Sequence, residues 1–366
     1  MIKILKKIKN DIIIKLKFGI YKFTFVKNFN SYIHARKISF HNGFIFSFSK
    51  LTFISHSFRP VKSEDIKSSL VDIEDKSHFC IIIQGPIISN YSFTEETIKI
   101  YKKLHPGVLI ILSTWDDTEK KIIEKLKKYN IILLLNKKPR NFGWNNINLQ
   151  IFSTNEAIKL AKKNGSKYIA KTRTDCRVYS PNFLIYCKTL LDLFPNKNNK
   201  TRIISTDFST KHLPYKLSDI FQFGKVEEMQ KYWKKANWDT DIADLYNGRK
   251  IIEDIPIVSE VYLTTKYLMA QNYKLNWNLE CWWSVLKDYF IIIDNNSIDL
   301  FWYKYDYEIE QRGARAYASL SPKGISHSEW LLMYSRTIEK WRLSEDPLFQ
   351  ERWLIDKEGN FKKINK

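Results

Sequence analysis

The sequence predicts an α/β fold in which helices flank a doubly wound, mostly parallel sheet. Short apolar runs alternate with segments of helical periodicity, in the order strand, helix, strand, helix, strand, helix, strand through residue 175. Runs that are apolar throughout suit strands buried on both faces, and alternation with helices is typical of parallel crossovers. At 366 residues the chain is long enough for one large domain with additions.

The strands are predicted from apolar runs that end at turn residues. The run 79–83 ends at Gln84-Gly85-Pro86, and the run 108–112 is followed by Ser113-Thr114-Trp115-Asp116-Asp117. The run 168–170 leads into Arg173, Thr174 and Asp175. In chain order the predicted strands are 79–83, 108–112, 131–135, 168–170, 202–205 and 219–224.

The helices are predicted where apolar residues recur at helical spacing. One begins near Thr94, where two glutamates suit the first turn of a helix. Between 147 and 163, Ile147, Ile151 and Ile158 lie on one face, and Lys162-Lys163-Asn164-Gly165 is a usual helix end. The other predicted helices are 118–129, 182–194, 226–235 and 257–271, with a helical, charged C-terminal segment.

The stretch from Asn141 to Asp175 carries an ordered set of residues: Asn141, Gly143, Asn148, Ala161, Gly165, Tyr168, Ile169 and Asp175. In this order and spacing the stretch resembles inverting glycosyltransferases of the glycosyltransferase A type. Those enzymes often carry Asn-x-Gly, an Asn on the next helix, a small residue and a Gly at its end, an aromatic-Ile pair and Asp-x-Asp. Arg173 stands here in place of the first Asp of Asp-x-Asp.

Five further segments are informative: IIIQGPI (81–87), ILSTWDD (111–117), KTRTD (171–175), LSDIFQFG (217–224) and KYW (231–233). Together they are similar to the WavE lipopolysaccharide-synthesis family of bacterial surface-polysaccharide enzymes. The resemblance covers roughly residues 78–340 and implies a glycosyltransferase A-type fold. It also implies transfer of a sugar from an activated donor onto a growing surface glycan. We expect the donor to be a nucleotide sugar and the acceptor to be lipid-linked, such as the lipopolysaccharide core or a capsule precursor. We expect inversion at the sugar, and retention stays an alternative.

The domain organisation follows from the same patterns. We expect a basic N-terminal extension over 1–75, a glycosyltransferase domain over 76–340 and a charged tail over 341–366. Within the domain, 76–210 would form the nucleotide-sugar half. The aromatic-rich part 211–340 would form the acceptor half.

The charge is concentrated at the N-terminus. The chain carries a net +21, and residues 1–60 hold twelve Lys and Arg against one acid, Asp11. No helix-turn-helix, RNP-type or zinc-finger signature accompanies the charge, so nucleic acid is not expected as a partner.

In residues 1–20, Leu5, Ile8, Ile12 and Leu16 recur at helical spacing between lysines. This basic amphipathic pattern predicts binding to an anionic membrane surface, or alternatively docking on the domain. No run reaches the roughly 18 apolar residues of a spanning helix. The four cysteines show no metal-type spacing and suit reduced thiols. We therefore expect a cytoplasmic protein, peripheral on the inner membrane.

Donor-binding residues are expected where the predicted strands end, since open α/β sheets bind ligands at that edge. Each group has a structural alternative: a tight turn at Gly85, a helix cap at Asp116 and Asp117, and a solvated helix face at Asn145 and Asn148. The candidates are Gln84, Gly85, Pro86, Trp115, Asp116, Asp117, Arg140, Asn141, Asn145, Asn148, Arg173, Thr174 and Asp175.

The resemblance to glycosyltransferase A-type enzymes makes Asp175 the candidate metal ligand. At an exposed strand end it would bind a divalent cation, Mn²⁺ or Mg²⁺, that bridges the donor diphosphate. His327 is a second candidate ligand, because some enzymes of this fold use a late His. Arg173 opens two alternatives: its guanidinium neutralises the diphosphate and makes the metal dispensable, or it pairs with Asp175 structurally.

An inverting transferase also needs a base for the acceptor hydroxyl. Asp219, in LSDIFQFG, and Glu260, at the start of a predicted helix, are the candidates. The alternative functions are a non-catalytic carbohydrate- or membrane-binding protein of this fold and, less favoured, a sugar nucleotidyltransferase. The last would usually carry a Gly-rich basic loop, which residues 84–90 lack.

Overall fold

A seven-stranded sheet forms the centre of the molecule. The computed structural model describes residues 59–67, 75–196, 201–209, 213–235, 258–306 and 324–335. Its strands are β1 (Phe79–Gln84), β2 (Leu109–Trp115), β3 (Ile132–Asn136), β4 (Tyr168–Arg173), β5 (Cys176–Val178), β6 (Ile203–Thr206), β7 (Gln222–Lys225), β8 (Phe290–Ile293) and β9 (Leu300–Trp302). The central sheet has the order β3-β2-β1-β4-β7-β6-β8, and β5 pairs with β9 in a separate ribbon.

Helices cover the sheet and connect its strands. They are α1 (Phe93–Leu104), α2 (Lys120–Lys127), α3 (Ile147–Lys163), α4 (Phe183–Leu193), α5 (Val226–Tyr232), α6 (Ser259–Met269), α7 (Leu279–Tyr289), α8 (Tyr303–Asp306) and α9 (His327–Ser335). None of the helices in the described ranges is long and apolar enough to cross a membrane.

The strand directions create one functional edge. β1 pairs in parallel with β2 and β4, β2 with β3, and β6 with β8, whereas β7 runs antiparallel to both β4 and β6. The other six strands of the sheet therefore point the same way. Their carboxyl ends lie together at one edge, which we call the carboxyl edge. The residues before β7 lie at this edge as well, because β7 alone is reversed.

The core is built from the apolar runs that predict the strands. Every residue of β1 and of β8 is buried. Ile147, Ile151 and Ile158 of α3 are also buried, and α3 packs on β1 and β2. Full burial of such a side chain contributes about 1.5–3 kcal/mol, so these strands and α3 account for much of the stability of the fold.

A buried arginine fixes the β5–β9 ribbon to the chain that precedes the sheet. The Arg177 guanidinium donates hydrogen bonds to Thr97 Oγ1 at 2.9 Å, to the Phe93 carbonyl at 3.0 Å and to the Val61 carbonyl at 3.0 Å. Arg59 forms an ion pair with Asp299, just before β9. Residues 59–61 are thus held against the domain beside the ribbon.

The structure confirms the α/β architecture with a mostly parallel sheet, and it moves several boundaries. β2 continues to Trp115 because the buried hydroxyl of Ser113 has a hydrogen-bond partner inside the core: Ser113 Oγ donates to the Ser153 carbonyl at 2.8 Å. β4 extends to Arg173, and β7 begins at Gln222, so Asp219 precedes the strand. The predicted amphipathic segment 1–20 and the tail 341–366 lie outside the described residues.

Candidate active site

An arginine–aspartate pair occupies the carboxyl end of β4. Arg173 Nε donates to Asp175 Oδ1 at 2.9 Å, and Arg173 Nη2 donates to Asp175 Oδ2 at 3.0 Å. Trp302 Nε1, on β9, donates to the same Oδ2 at 2.9 Å. The Arg173 guanidinium carbon lies 5.4 Å from the centre of the Trp302 ring. The carboxylate and indole together fix the orientation of the guanidinium.

The pair is more enclosed than a strand end usually is. The Asp175 side chain is 13% exposed, which corrects the expectation of an exposed carboxylate. Burial raises the pKa of Asp175, but the Arg173 guanidinium and the hydrogen bonds from Trp302 and Cys176 outweigh it and hold this pKa below its usual value. Burial lowers the pKa of Arg173, whereas the charges of Asp175 and Asp219 raise it above its usual value. Both groups are therefore charged.

The side chains around Asp175 do not suit a divalent cation. Both carboxylate oxygens already accept hydrogen bonds, and a cation bound there would face the guanidinium charge. Within the described ranges no group of three or more His, Cys, Asp and Glu side chains is arranged to hold a metal. The other candidate ligand, His327, directs Nδ1 to the Ile292 carbonyl oxygen at 2.7 Å, and its ring stacks on Trp330. The direct pairing of Arg173 with Asp175 is the arrangement observed.

The turns after β1 and β4 are joined by a backbone hydrogen bond. Thr174 N donates to the Gln84 carbonyl at 3.0 Å, and Thr94 Oγ1 donates to the Thr174 carbonyl at 3.2 Å. Gly85 has φ +130°, and a Cβ there would lie 2.7 Å from Thr174 Oγ1. Gln84, Gly85 and Thr174 are thus brought together and buried, while Pro86 is exposed beside them. Gly85 is required both for its backbone conformation and for this close approach.

Two exposed carboxylates follow the end of β2. Trp115 is the buried last residue of β2, and Asp116 and Asp117 follow it in solvent. The Asp117 carboxylate forms an ion pair with Lys138 Nζ at 2.5 Å. Because α2 begins at Lys120 with Glu119 at its N-cap, the helix-cap alternative for the two aspartates is excluded.

The connection from β3 to α3 separates the predicted asparagines. Arg140, Asn141 and Asn145 are exposed. Asn141 Oδ1 accepts a hydrogen bond from Gly143 N at 2.8 Å. Asn148 is buried and donates to the Asn141 carbonyl at 3.4 Å. The alternative that Asn148 lies on a solvated helix face is therefore wrong. Its side-chain amide instead stabilises the loop that precedes α3.

Asp219 is held at the carboxyl edge by two residues that the sequence did not single out. Gln150 Nε2, on α3, donates to Asp219 Oδ2. Lys171 Nζ donates to the Asp219 carbonyl at 2.5 Å and lies 4.6 Å from the centre of the Trp233 ring. Burial lowers the pKa of Lys171 to about 8, although the Asp219 charge opposes the shift. The buried amine therefore anchors the backbone that carries Asp219.

Glu260 lies in the same electrostatic environment. Burial raises the pKa of Glu260, and the charge of Asp219 raises it further, while Lys216 and Arg173 act in the opposite direction. The charges of the three predicted catalytic residues, Arg173, Asp219 and Glu260, therefore influence one another. A carboxyl group with a raised pKa binds a proton more readily than an ordinary carboxyl group, which suits Glu260 to proton transfer.

Trp302, Gln150 and Lys171 were missed as site residues for different reasons. Trp302 is 127 residues from Asp175, and Gln150 is 69 residues from Asp219, so no local pattern connects them. Lys171 does carry a signal, because a lysine inside a strand of a buried sheet needs an internal partner.

The chain shows a low level of similarity to solved structures of other proteins. A Desulfovibrio desulfuricans protein, described as a candidate nucleotide-diphospho-sugar transferase, has 9% identity and a TM-score of 0.33 over 72% of this chain and 97% of its own. A glycosyltransferase involved in glycosylation of the major capsid of PBCV-1 has 11% identity and a TM-score of 0.29 over 59% and 81%.

The 4-diphosphocytidyl-2C-methyl-D-erythritol synthase of Anaerococcus prevotii has 15% identity and a TM-score of 0.28 over 53% and 100%. TM-scores below 0.5 support no conclusion about the fold or the activity of this chain. No curated protein matches the chain.

The family of the chain is assigned by a match to a protein-family model and not by these solved structures. The family model matches residues 79–349, which include the central sheet, the Arg173–Asp175 pair and both candidate bases. The chain belongs to the WavE lipopolysaccharide synthesis family.

Proposed function

We propose that this protein is a glycosyltransferase that moves a sugar from a nucleotide-sugar donor to a lipid-linked bacterial surface glycan, either the lipopolysaccharide core or a capsule precursor. The observation that carries the proposal is the Arg173–Asp175 pair beside the Asp219 and Glu260 carboxylates, in a chain of the WavE family. We place the reaction at the cytoplasmic face of the inner membrane.

Arg173 is the residue proposed to stabilise the leaving group. Breaking the bond between the sugar and the diphosphate places negative charge on the departing nucleoside diphosphate. A fixed guanidinium stabilises that charge and donates hydrogen bonds to phosphate oxygens. Asp175 and Trp302 hold the guanidinium in one orientation. Arg173 therefore supplies the positive charge in this proposal, and no step depends on a metal.

The turn after β1 supports the donor. Gly85 directly follows the central strand β1, and its positive φ of +130° directs the turn that leads to the exposed Pro86. The exposed Asp116 and Asp117 follow the neighbouring strand, where a carboxylate can accept hydrogen bonds from ribose hydroxyls or from the base. These residues make the carboxyl ends of β1 and β2 the proposed nucleoside subsite.

Glu260 is proposed as the general base. Its carboxylate removes the proton from the acceptor hydroxyl, whose oxygen attacks the anomeric carbon as the bond to the diphosphate breaks. Direct displacement inverts that carbon. Asp219 raises the pKa of Glu260 and so makes it a stronger base, while Gln150 and Lys171 keep Asp219 in place. In this proposal Glu260 acts on the acceptor hydroxyl, and Arg173 acts on the diphosphate of the donor.

The proposal is tested by incubating the full chain with a panel of nucleotide sugars, with and without truncated lipopolysaccharide as acceptor. We expect one donor to release its nucleoside diphosphate, and the acceptor to gain one sugar by mass spectrometry. Glu260→Gln should bind nucleoside diphosphate in a thermal-shift assay and fail to transfer. Asp192→Asn, in an exposed ion pair with Lys188, is the matched control.

The alternative functions give different results in the same assay. A non-catalytic binder would be stabilised by glycan and release no nucleoside diphosphate from any donor. A nucleotidyltransferase would release pyrophosphate from a nucleoside triphosphate and a sugar phosphate. Either result would contradict the proposed transfer.

A further inference from the structure

Two aromatic side chains project into solvent beside the candidate active site. Among the described residues, seven large apolar side chains are exposed, and three of them lie between positions 135 and 144. Trp144 is 59% exposed, Phe142 45% and Leu135 40%. They belong to the end of β3 and to residues 137–146, which we call the aromatic loop. β3 is the outermost strand, so the loop lies at a corner of the carboxyl edge.

The aromatic loop is held in a defined conformation. Asn148 N donates to the Phe142 carbonyl at 3.0 Å, and Asn141 Oδ1 accepts from Gly143 N at 2.8 Å. Gly143 has φ +67°, and a Cβ there would lie 2.8 Å from the side chain of Ile147. The backbone therefore fixes Phe142 and Trp144 outside the core. Exposing two large rings in this way is unfavourable in water unless another surface covers them.

The charge of the loop indicates which surface that is. Lys137, Lys138 and Arg140 are exposed, and no acid occurs between residues 137 and 146. Of these three, Lys138 is paired with Asp117 across the neighbouring strand end. Aromatic rings interleaved with cations match the boundary of an anionic bilayer, where the rings enter the headgroup layer and the cations meet lipid phosphates.

We infer that the aromatic loop docks this protein on an anionic membrane surface through Phe142, Trp144 and the neighbouring cations. Docking there turns the corner of the carboxyl edge toward the bilayer. The reason for such an orientation rests on the proposed function, because a lipid-linked acceptor presents its sugar at the same surface. The contact itself depends only on the rings and charges, and it is separate from the predicted segment 1–20.

The first test measures partition of the full chain onto vesicles of phosphatidylethanolamine and phosphatidylglycerol, without donor or acceptor. The double variant Phe142→Ser/Trp144→Ser should partition about tenfold or more weakly, since two rings no longer enter the interface. Leu193→Ser is the matched control, because Leu193 is 64% exposed at the far end of α4. The control should partition like the wild type, and phosphatidylcholine vesicles should bind all variants weakly.

The second test reports contact at the loop itself and so separates it from residues 1–20. An environment-sensitive fluorophore is attached to Trp144→Cys in a Cys281→Ser background, because Cys281 is the one native cysteine that is not buried. Anionic vesicles should shift the emission to the blue. The same label in Leu193→Cys should not respond.

The inference is overturned if the label at 144 is unaffected by anionic vesicles, or if the double variant partitions like the wild type. It is also overturned if the double variant loses affinity for nucleoside diphosphate and keeps vesicle binding, since the rings would then serve the donor. Failure of the proposed transferase activity gives a different result: no sugar is transferred, yet vesicle binding still depends on Phe142 and Trp144.

Discussion

The guanidinium of Arg173 and the carboxylate of Asp175 face each other through two parallel hydrogen bonds, at 2.9 Å and 3.0 Å. A pair of this geometry fixes a positive charge in one orientation, which a single contact would not do. It also engages both oxygens of the carboxylate that the family resemblance made the metal ligand. The charge opposite the donor diphosphate therefore comes from the chain itself in the proposed mechanism.

Transfer should persist in excess EDTA, because Arg173 supplies the charge. Arg173→Ala should lower kcat by roughly a hundredfold, about 3 kcal/mol, which is typical for the loss of one charge-stabilising donor. Arg173→Lys keeps the charge without the paired hydrogen bonds and should give an intermediate rate. The measurement is initial rate of nucleoside diphosphate release. Inactivation by EDTA with recovery in Mn²⁺ or Mg²⁺ would show that a metal, contrary to this proposal, is needed.

Asp175→Asn should abolish transfer and also destabilise the fold, because it leaves the enclosed guanidinium of Arg173 without its countercharge. We expect a loss on the order of 2 kcal/mol in the free energy of unfolding measured with urea. Arg173→Met in the same chain should restore part of that loss, since no unpaired charge remains. If the loss in the double variant equals the sum of the losses in Asp175→Asn alone and Arg173→Met alone, the interaction between the two side chains contributes nothing to stability, contrary to this prediction.

The pH dependence of kcat/KM should identify Glu260 as the base. A base works in its deprotonated form, so the rate should fall as pH drops through the pKa of Glu260, which burial and Asp219 raise. We call this fall in kcat/KM at low pH the acid limb of the profile. Asp219→Asn removes a negative neighbour, which lowers the pKa of Glu260, and should move the acid limb to lower pH. Lys216→Met removes a positive neighbour and should move it to higher pH.

Each variant should be measured over the full pH range beside Asp192→Asn, whose side chain lies in an exposed ion pair on α4. In that control the acid limb should lie at the same pH as in the wild type. An acid limb that stays in place in both Asp219→Asn and Lys216→Met would assign the titrating base to another residue.

The sequence predicts the sheet well and the site less completely, for reasons visible at particular residues. The strand 79–83 is apolar throughout, so its burial and parallel pairing follow from pattern alone. β2 and β4 extend beyond their apolar runs because Ser113 and Lys171 find internal partners, which only the tertiary structure supplies.

The proximity of Glu260 to Asp219 and the bond from Trp302 to Asp175 also depend on the packing of distant segments. Periodicity carries no information on such contacts. The segment 1–20 remains a sequence prediction, because it lies outside the described residues.

His105 gives a prediction about stability that is independent of catalysis. It is buried at the end of α1 with its ring edge against Phe183 at 4.8 Å, and neither ring nitrogen has a hydrogen-bond partner. Burial lowers the pKa of His105 from 6.5 to about 4. Between these values the unfolded chain binds a proton that the folded protein does not. The contribution of His105 to the free energy of unfolding should therefore be fully present above pH 6.5 and fall by about 3 kcal/mol as pH drops to 4.

His105→Leu should remove that part of the pH dependence. The variant should be at least as stable as the wild type at pH 8, because it also removes two buried nitrogens without partners. Urea unfolding of both proteins at several pH values between 4 and 8 gives the difference directly, since every other titrating group is common to the two chains. Parallel curves would contradict a neutral, buried His105, whereas curves that diverge only below pH 6.5 would support it.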